Sequence, residues 1–337
     1  MRNRVAPADN AGVGGGRRAV VRTGGDVVCL SLSPAVQRTL VFARFQADAV
    51  NRADASFVTV GGKGVNTALA LARLRRAGVV TGLNGGDTGK FVVEFMKARG
   101  VTCAFTRTPW PTRTCTTILD RATGEVTELV EEGWVPTAAF LQRWEAAGQK
   151  RLRQAVAAVL CGTLPRGVPE NLWARLAARA RQQQIPVLID SHAAPLWQAL
   201  AQEPWLAKMN ACELAKTLSG TCRTEAQIVA GARKLIAAGA HWALITRGPQ
   251  PAMLVNREQG AWRIRPPVLT DVVSPIGSGD CVNAGLMEAH LRGREMCAAV
   301  CFGLGCGSAN ARTATPADFT AQMARELAAR CVVERVR

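Results

Sequence analysis

Apolar and polar positions change period repeatedly along this chain, and each change marks an element. Val27-Val28-Cys29-Leu30-Ser31-Leu32 is a short apolar run, the pattern of a strand buried on both faces. Thr39–Phe45 and Ala55–Val60 read as extended, and Val65–Ala77 carries apolar residues on helical spacing. Strand and helix signals then alternate. Strands are predicted at Val79–Asn84, Ala155–Cys161, Pro186–Asp190, Trp205–Met209 and Trp242–Thr246. Helices are predicted at Gly89–Arg99, at Glu170–Gln183, from Glu213 and at Glu225–Ala237. Ala252–Val255 and Trp262–Arg265 add strands, and the chain beyond them turns helical. This alternation predicts an α/β three-layer sandwich with a central, mostly parallel sheet. Two stretches interrupt it, at about 38–60 and 112–131. The second reads as a hairpin, Arg113–Leu119 with Val126–Val130, around Ala122-Thr123-Gly124. Together they predict a small accessory sheet, a β lid over the site. Residues 1–25 are Gly-, Ala- and Arg-rich and are expected to be a disordered leader, with the folded domain at 26–337.

Composition narrows the function classes. The 337 residues are 48% hydrophobic, enough for a substantial core. The net charge is +17, from 42 basic and 25 acidic residues, yet no dense Lys/Arg block interleaved with aromatics occurs and Tyr is absent. The excess is read as solvated Arg-rich faces and an anion-binding cleft, so no nucleic acid is expected as a partner. No apolar run reaches membrane-spanning length, and none follows the N-terminal arginines, so neither a membrane segment nor a secretory signal is expected. The eleven cysteines are odd in number and form no CxxC pair. They are expected to be reduced core thiols, as suits a cytoplasmic protein.

Three motifs carry chemistry. Val60-Gly61-Gly62-Lys63-Gly64-Val65-Asn66 lets backbone approach a ligand closely and sets Asn66 in the first turn of a helix. Lys208-Met209-Asn210-Ala211-Cys212-Glu213 lies at a strand end, where open α/β sheets place ligands. Ser274-Pro275-Ile276-Gly277-Ser278-Gly279-Asp280 delivers a carboxylate to a helix N-terminus. Alone, the last motif reads first as a helix cap. A helix N-terminus also attracts anions through its unpaired N–H groups and its macrodipole.

In this order and spacing the motifs resemble those of the ribokinase-like (PfkB) carbohydrate kinases, over roughly residues 26–320. Val50-Asn51-Arg52-Ala53, Thr112-Arg113-Thr114 and Gly162-Thr163-Leu164-Pro165-Arg166-Gly167 are similar to segments of the phosphosugar-kinase subgroup. The resemblance implies ATP-dependent phosphoryl transfer to a phosphorylated ketose. Asp280 would be the general base, and the Gly277, Ser278 and Gly279 N–H groups an anion hole. Gln37, Arg52, Gly61, Gly62, Lys63, Asn66, Arg113 and Arg166 would contact the sugar substrate. Lys208, Asn210, Thr246, Gly248, Gly305 and Ser308 would contact ATP. Glu213 and Asp190 would serve Mg2+, in part through water. The family also implies a homodimer through the lid.

The chain departs from the subgroup at Ser33-Pro34-Ala35-Val36-Gln37, where an aspartate is usual in place of Gln37. An amide offers one acceptor and two donors without charge, which bears on the acceptor sugar more than on the chemistry. Two alternatives follow: a kinase of an unphosphorylated sugar or nucleoside, and a non-catalytic sugar-phosphate-binding regulator.

Overall fold

The computed structural model describes residues 25–336; the expected leader lies outside the described residues, apart from Gly25. In chain order the elements are β1 (Asp26–Leu30), β2 (Ala35–Phe42), β3 (Ala55–Gly61), α1 (Lys63–Arg73), β4 (Gly78–Gly85), α2 (Gly86–Lys97), β5 (Thr102–Thr108), β6 (Arg113–Asp120) and β7 (Val126–Val130). The middle of the chain gives α3 (Ala138–Leu152), β8 (Ala155–Cys161), α4 (Leu172–Gln182), β9 (Val187–Asp190), α5 (Ala193–Leu200), β10 (Leu206–Asn210), α6 (Ala211–Thr217) and α7 (Glu225–Ala237). Then come β11 (Trp242–Arg247), β12 (Gln250–Asn256), β13 (Gly260–Arg265), α8 (Ser278–Leu291), α9 (Met296–Ala311), α10 (Ala321–Ala328) and β14 (Val332–Val336).

Ten strands form one sheet in the order β14-β13-β12-β11-β10-β9-β8-β1-β4-β5. From β11 to β5 all neighbours are parallel, while β12, β13 and β14 add an antiparallel edge. The apolar run of β1 splits by strand alternation. Val27 and Cys29 join a core with residues of α1, α8, α9 and α10. Val28 and Leu30 join a core with residues of α3, α4, α5 and α7 on the opposite face. Burial on both faces explains why the central strands lack polar alternation. From β1 the chain runs outward to β4 and β5, and later builds the other side from β8. The strand order thus reverses between β1 and β8, the position where open α/β sheets form a ligand crevice at the strand C-termini.

The two stretches that break the alternation form a separate four-stranded sheet, β3-β2-β6-β7. Its central pair is parallel, and both outer strands are antiparallel to it. Four elements had no counterpart in the apolar pattern: β5, α3, α5 and β14. β5, Thr-Cys-Ala-Phe-Thr-Arg-Thr, ends the sheet as an edge strand and has no fully buried residue. β14 corrects the expectation of a purely helical C-terminal region. Its Glu334 stands opposite Arg263 and accepts from Arg263 and Arg265 on β13 at 3.2 and 3.0 Å, so charge pairing sets the register that a short edge strand cannot set by hydrophobicity.

Candidate active site

The turn before α8 is built by glycine. Gly277, the N-cap, sits at φ 78°, and a Cβ there would fall 2.9 Å from Pro316 Cβ. Asn310 of α9 props the turn, donating to Ile276 O at 2.8 Å and to Ser278 Oγ at 3.0 Å. The Ser278 N–H donates to Pro275 O at 3.1 Å, so it is engaged within the turn. This corrects the expected three-donor anion hole. The N–H groups of Gly277 and Gly279 have no acceptor among the described residues and are the two donors left to face the cleft.

Asp280 lies in the first turn of α8, 6% exposed, at the wall of a cleft of about 1510 Å³. Asn66 of α1 donates from Nδ2 to its Oδ2 at 2.8 Å. α1 can start there because Gly62, at φ 101°, passes Ser33 O so closely that a Cβ would lie 2.7 Å away. Burial, and next the negative charge of Asp190, push the Asp280 carboxyl up from 3.8 to about 7. Lys63, Lys208 and the Asn66 hydrogen bond oppose that rise.

Lys63 and Lys208 share one counter-ion. Asp190, at the end of β9 and with no exposed surface, accepts from Lys63 at 2.6 Å on one oxygen. Its other oxygen accepts from Lys208 at 2.7 Å and from Asn283 Nδ2 at 2.8 Å. The two ammonium groups hold the Asp190 carboxyl well below the usual range, overcoming burial. Lys208 also donates to Gly279 O at 2.9 Å, tying β10 to the glycine turn. Lys63 reaches Glu213 at 2.9 Å. Burial pulls Lys63 down, but Asp190, Glu213 and Asp280 together hold its ammonium above the ordinary lysine value. Glu213 and Asn210 form a reciprocal capping box on α6, which fixes both side chains at the cleft wall.

In this arrangement both Asp190 oxygens are engaged, by the Lys63 and Lys208 ammonium groups and the Asn283 amide. No group of three or more His, Cys, Asp or Glu able to hold a metal ion occurs among the described residues. One carboxylate at the wall, Glu213, fits an ion held mainly by phosphate oxygens and water, the usual habit of Mg2+.

Toward the small sheet, Gln37 is buried and donates from Nε2 to Thr117 Oγ1 at 2.8 Å, with its Oε1 beside Gly61. Arg113 lines the cleft, donating to Glu131 O at 3.0 Å and Ser33 O at 3.4 Å, while its buried Nε has no partner among the described residues. Arg52 and Arg166 are exposed and do not line the cleft, contrary to the sequence expectation. Both sit on loops, whose direction the sequence does not encode. Asp120, Glu125, Glu128 and Glu132 line this end as well. Burial raises the Glu128 carboxyl against the opposing effect of Arg113.

At the other end, Thr246, Gly248 and Ser308 line the cleft with Pro266, Val268, Leu269 and Val273. Gly305 does not. It is buried in α9, and a Cβ would lie 2.4 Å from Ala324 O of α10, so this glycine serves helix packing. The sequence reading missed the proline–valine wall and Asn283. The signal for Asn283 was present: a polar residue three positions after Asp280 in an otherwise apolar, buried stretch of helix.

The chain is similar to known proteins in sequence and in fold. The pfkB family carbohydrate kinase profile matches residues 27–320. A 1-phosphofructokinase of Rhodobacter capsulatus is 35% identical over 271 residues, 80% of this chain and 85% of the relative. A possible 1-phosphofructokinase from Thermotoga maritima superposes with a TM-score of 0.83 at 23% identity, over 92% of this chain and 99% of that one. Phosphofructokinase-2 from Escherichia coli, in complex with substrates and products, gives 0.82 at 23% identity over 90% and 98%. The ribokinase-like fold expected from the three motifs is therefore the fold observed, and with the profile spanning nearly the whole described chain, this protein belongs to the pfkB family of carbohydrate kinases.

Proposed function

We propose that the protein catalyses ATP-dependent phosphoryl transfer to a hydroxyl of a phosphorylated ketose, a reaction of the 1-phosphofructokinase type. The observation that carries this reading is Asp280: a buried carboxylate held near neutrality, at a helix N-terminus, inside a cleft with two lysines. Ionised, Asp280 takes the proton of the attacking hydroxyl, while Asn66 fixes the carboxylate from one side. The Gly277 and Gly279 N–H groups and Lys208 stabilise charge on the transferring phosphoryl. Asn210 and Lys63 hold the phosphate chain, and Thr246, Gly248 and Ser308 with the proline–valine wall receive the nucleoside. Mg2+, approached by Glu213 through water, would neutralise phosphate charge. Arg113 binds the phosphate already on the sugar, for which a planar guanidinium is suited. Gln37 offers its carbonyl to a sugar hydroxyl. The small sheet closes over the acceptor as a lid that excludes water. Phe57 and Val130 face the cleft, while exposed Val58 on β3 and Leu129 on β7 point the other way and form the face through which two lids pair in a homodimer.

The test is an acceptor screen: purified protein, Mg-ATP, and a panel of sugars and sugar phosphates, read as acceptor-dependent ADP release. Turnover confined to phosphorylated ketoses supports the proposal, and no turnover with any acceptor overturns it. A second reading, an unphosphorylated acceptor, draws on one observation. Only Arg113 of the three candidate arginines lines the cleft, among four carboxylates. Under that reading Arg113→Ala leaves turnover of the best acceptor unchanged.

A further inference from the structure

Asp190 lies at the cleft among Lys63, Lys208 and Asp280. Its carboxylate is fully buried, and three side chains from three different elements converge on it: Lys63 of α1, Lys208 of β10 and Asn283 of α8. Lys208 continues the chain of contacts to Gly279 O, one residue before Asp280. Asn283 lies one helical turn beyond Asp280 on the same helix, with no exposed surface and an Oδ1 that has no partner among the described residues. A buried amide with one unused end is retained at a cost, and its single contact is with Asp190.

We propose that Asp190, anchored by Asn283, is a positioning residue that holds the Lys63 and Lys208 ammonium groups on either side of Asp280 and keeps their charge from being expressed on it. This deepens the kinase reading above and rests on it for the identity of the base. Without Asp190 the two cations would be compensated only by Glu213, at Lys63, and by Asp280 itself. Asp280 would then be a charge partner, poorly disposed to accept a proton.

The charged and titratable groups around Asp280 are few. They are Lys63 on α1, Asp190 on β9 and Lys208 on β10, with Glu213 on α6 acting through Lys63. Cys29 on β1, Cys161 on β8 and Cys281 on α8 are buried thiols whose ionisation is pushed up, first by burial and further by Asp280, so they remain neutral.

The experiment follows the Asp280 carboxyl directly, by NMR titration of protein carrying carboxyl-13C aspartate, with Asp280→Asn used to assign the signal. Asp190→Asn removes a neighbouring negative charge and releases two positive ones, so the Asp280 midpoint is expected to fall by more than about one pH unit. Lys208→Met has the opposite sign and is expected to raise it. Asn283→Ala, which leaves every charge in place, is expected to lower kcat by about tenfold or more with little change in KM, the pattern of lost transition-state positioning. A midpoint that stays put in folded Asp190→Asn, or in Lys208→Met should the first variant not fold, overturns the proposal. So does an Asn283→Ala enzyme that changes KM alone. The titration needs no turnover. A failed acceptor screen alongside shifted midpoints would therefore reject the kinase reading and leave the positioning role standing.

Discussion

At the scale of single residues, the proposed base Asp280 bears on both activity and stability. Asp280→Asn should reduce kcat by about 10²–10⁴-fold, the contribution of a positioned general base. In the unaltered protein kcat should rise with pH through about 7, because the ionised carboxylate is the active form. The effect on stability has the opposite sense. The folded value stands above the ordinary 3.8, so this group favours the fold below 3.8, and that contribution is lost as pH rises through about 7. Melting curves should therefore show Asp280→Asn stabilised more at about pH 8 than at about pH 5. Arg113→Lys should raise the acceptor KM by roughly tenfold with a smaller change in kcat, since an ammonium cannot reproduce a two-pronged phosphate contact. Steady-state kinetics with a phosphorylated and an unphosphorylated acceptor check this. Asp280, Asn66, Lys63 and Glu213 were legible in the sequence because each sits in a short motif whose chemistry is local. The network around Asp190 was not: its partner Lys63 lies 127 positions away, and only the folded sheet brings this carboxylate to two lysines and Asn283.

At the scale of elements, the contrast between two glycines in similar sequence settings is instructive. Gly277 shapes a turn by its positive φ, whereas Gly305 lets α9 and α10 approach. Gly305→Ala should cost about 1–3 kcal/mol through overpacking, while the ATP KM stays unchanged. Urea unfolding and kinetics on one preparation separate these outcomes. The family resemblance set Gly305 at the nucleotide, and the difference between the two glycines lies in what a Cβ would meet. The parallel core strands were legible for a related reason. Burial on both faces leaves a continuous apolar run, whereas β5 and β14, at the edges, are part exposed and carry no such signature.

At the scale of the whole molecule, assembly and synthesis impose their own demands. If two lids pair, replacing Val58 and Leu129 with aspartate should convert a dimer into a monomer by light scattering, and a mass unchanged by the double variant would exclude this face. Asn66 and Asp280, which meet at 2.8 Å, are 214 residues apart in the chain. At a ribosomal rate of ~5–20 residues per second, roughly 10–40 s separate their synthesis. Late in that interval β1, β4 and β8 already exist, but the α8 and α9 residues that share a core with Val27, Cys29, Val80 and Val159 do not. The nascent chain therefore emerges from the ribosome with part of one sheet face uncovered, its apolar residues waiting for the last helices to be made.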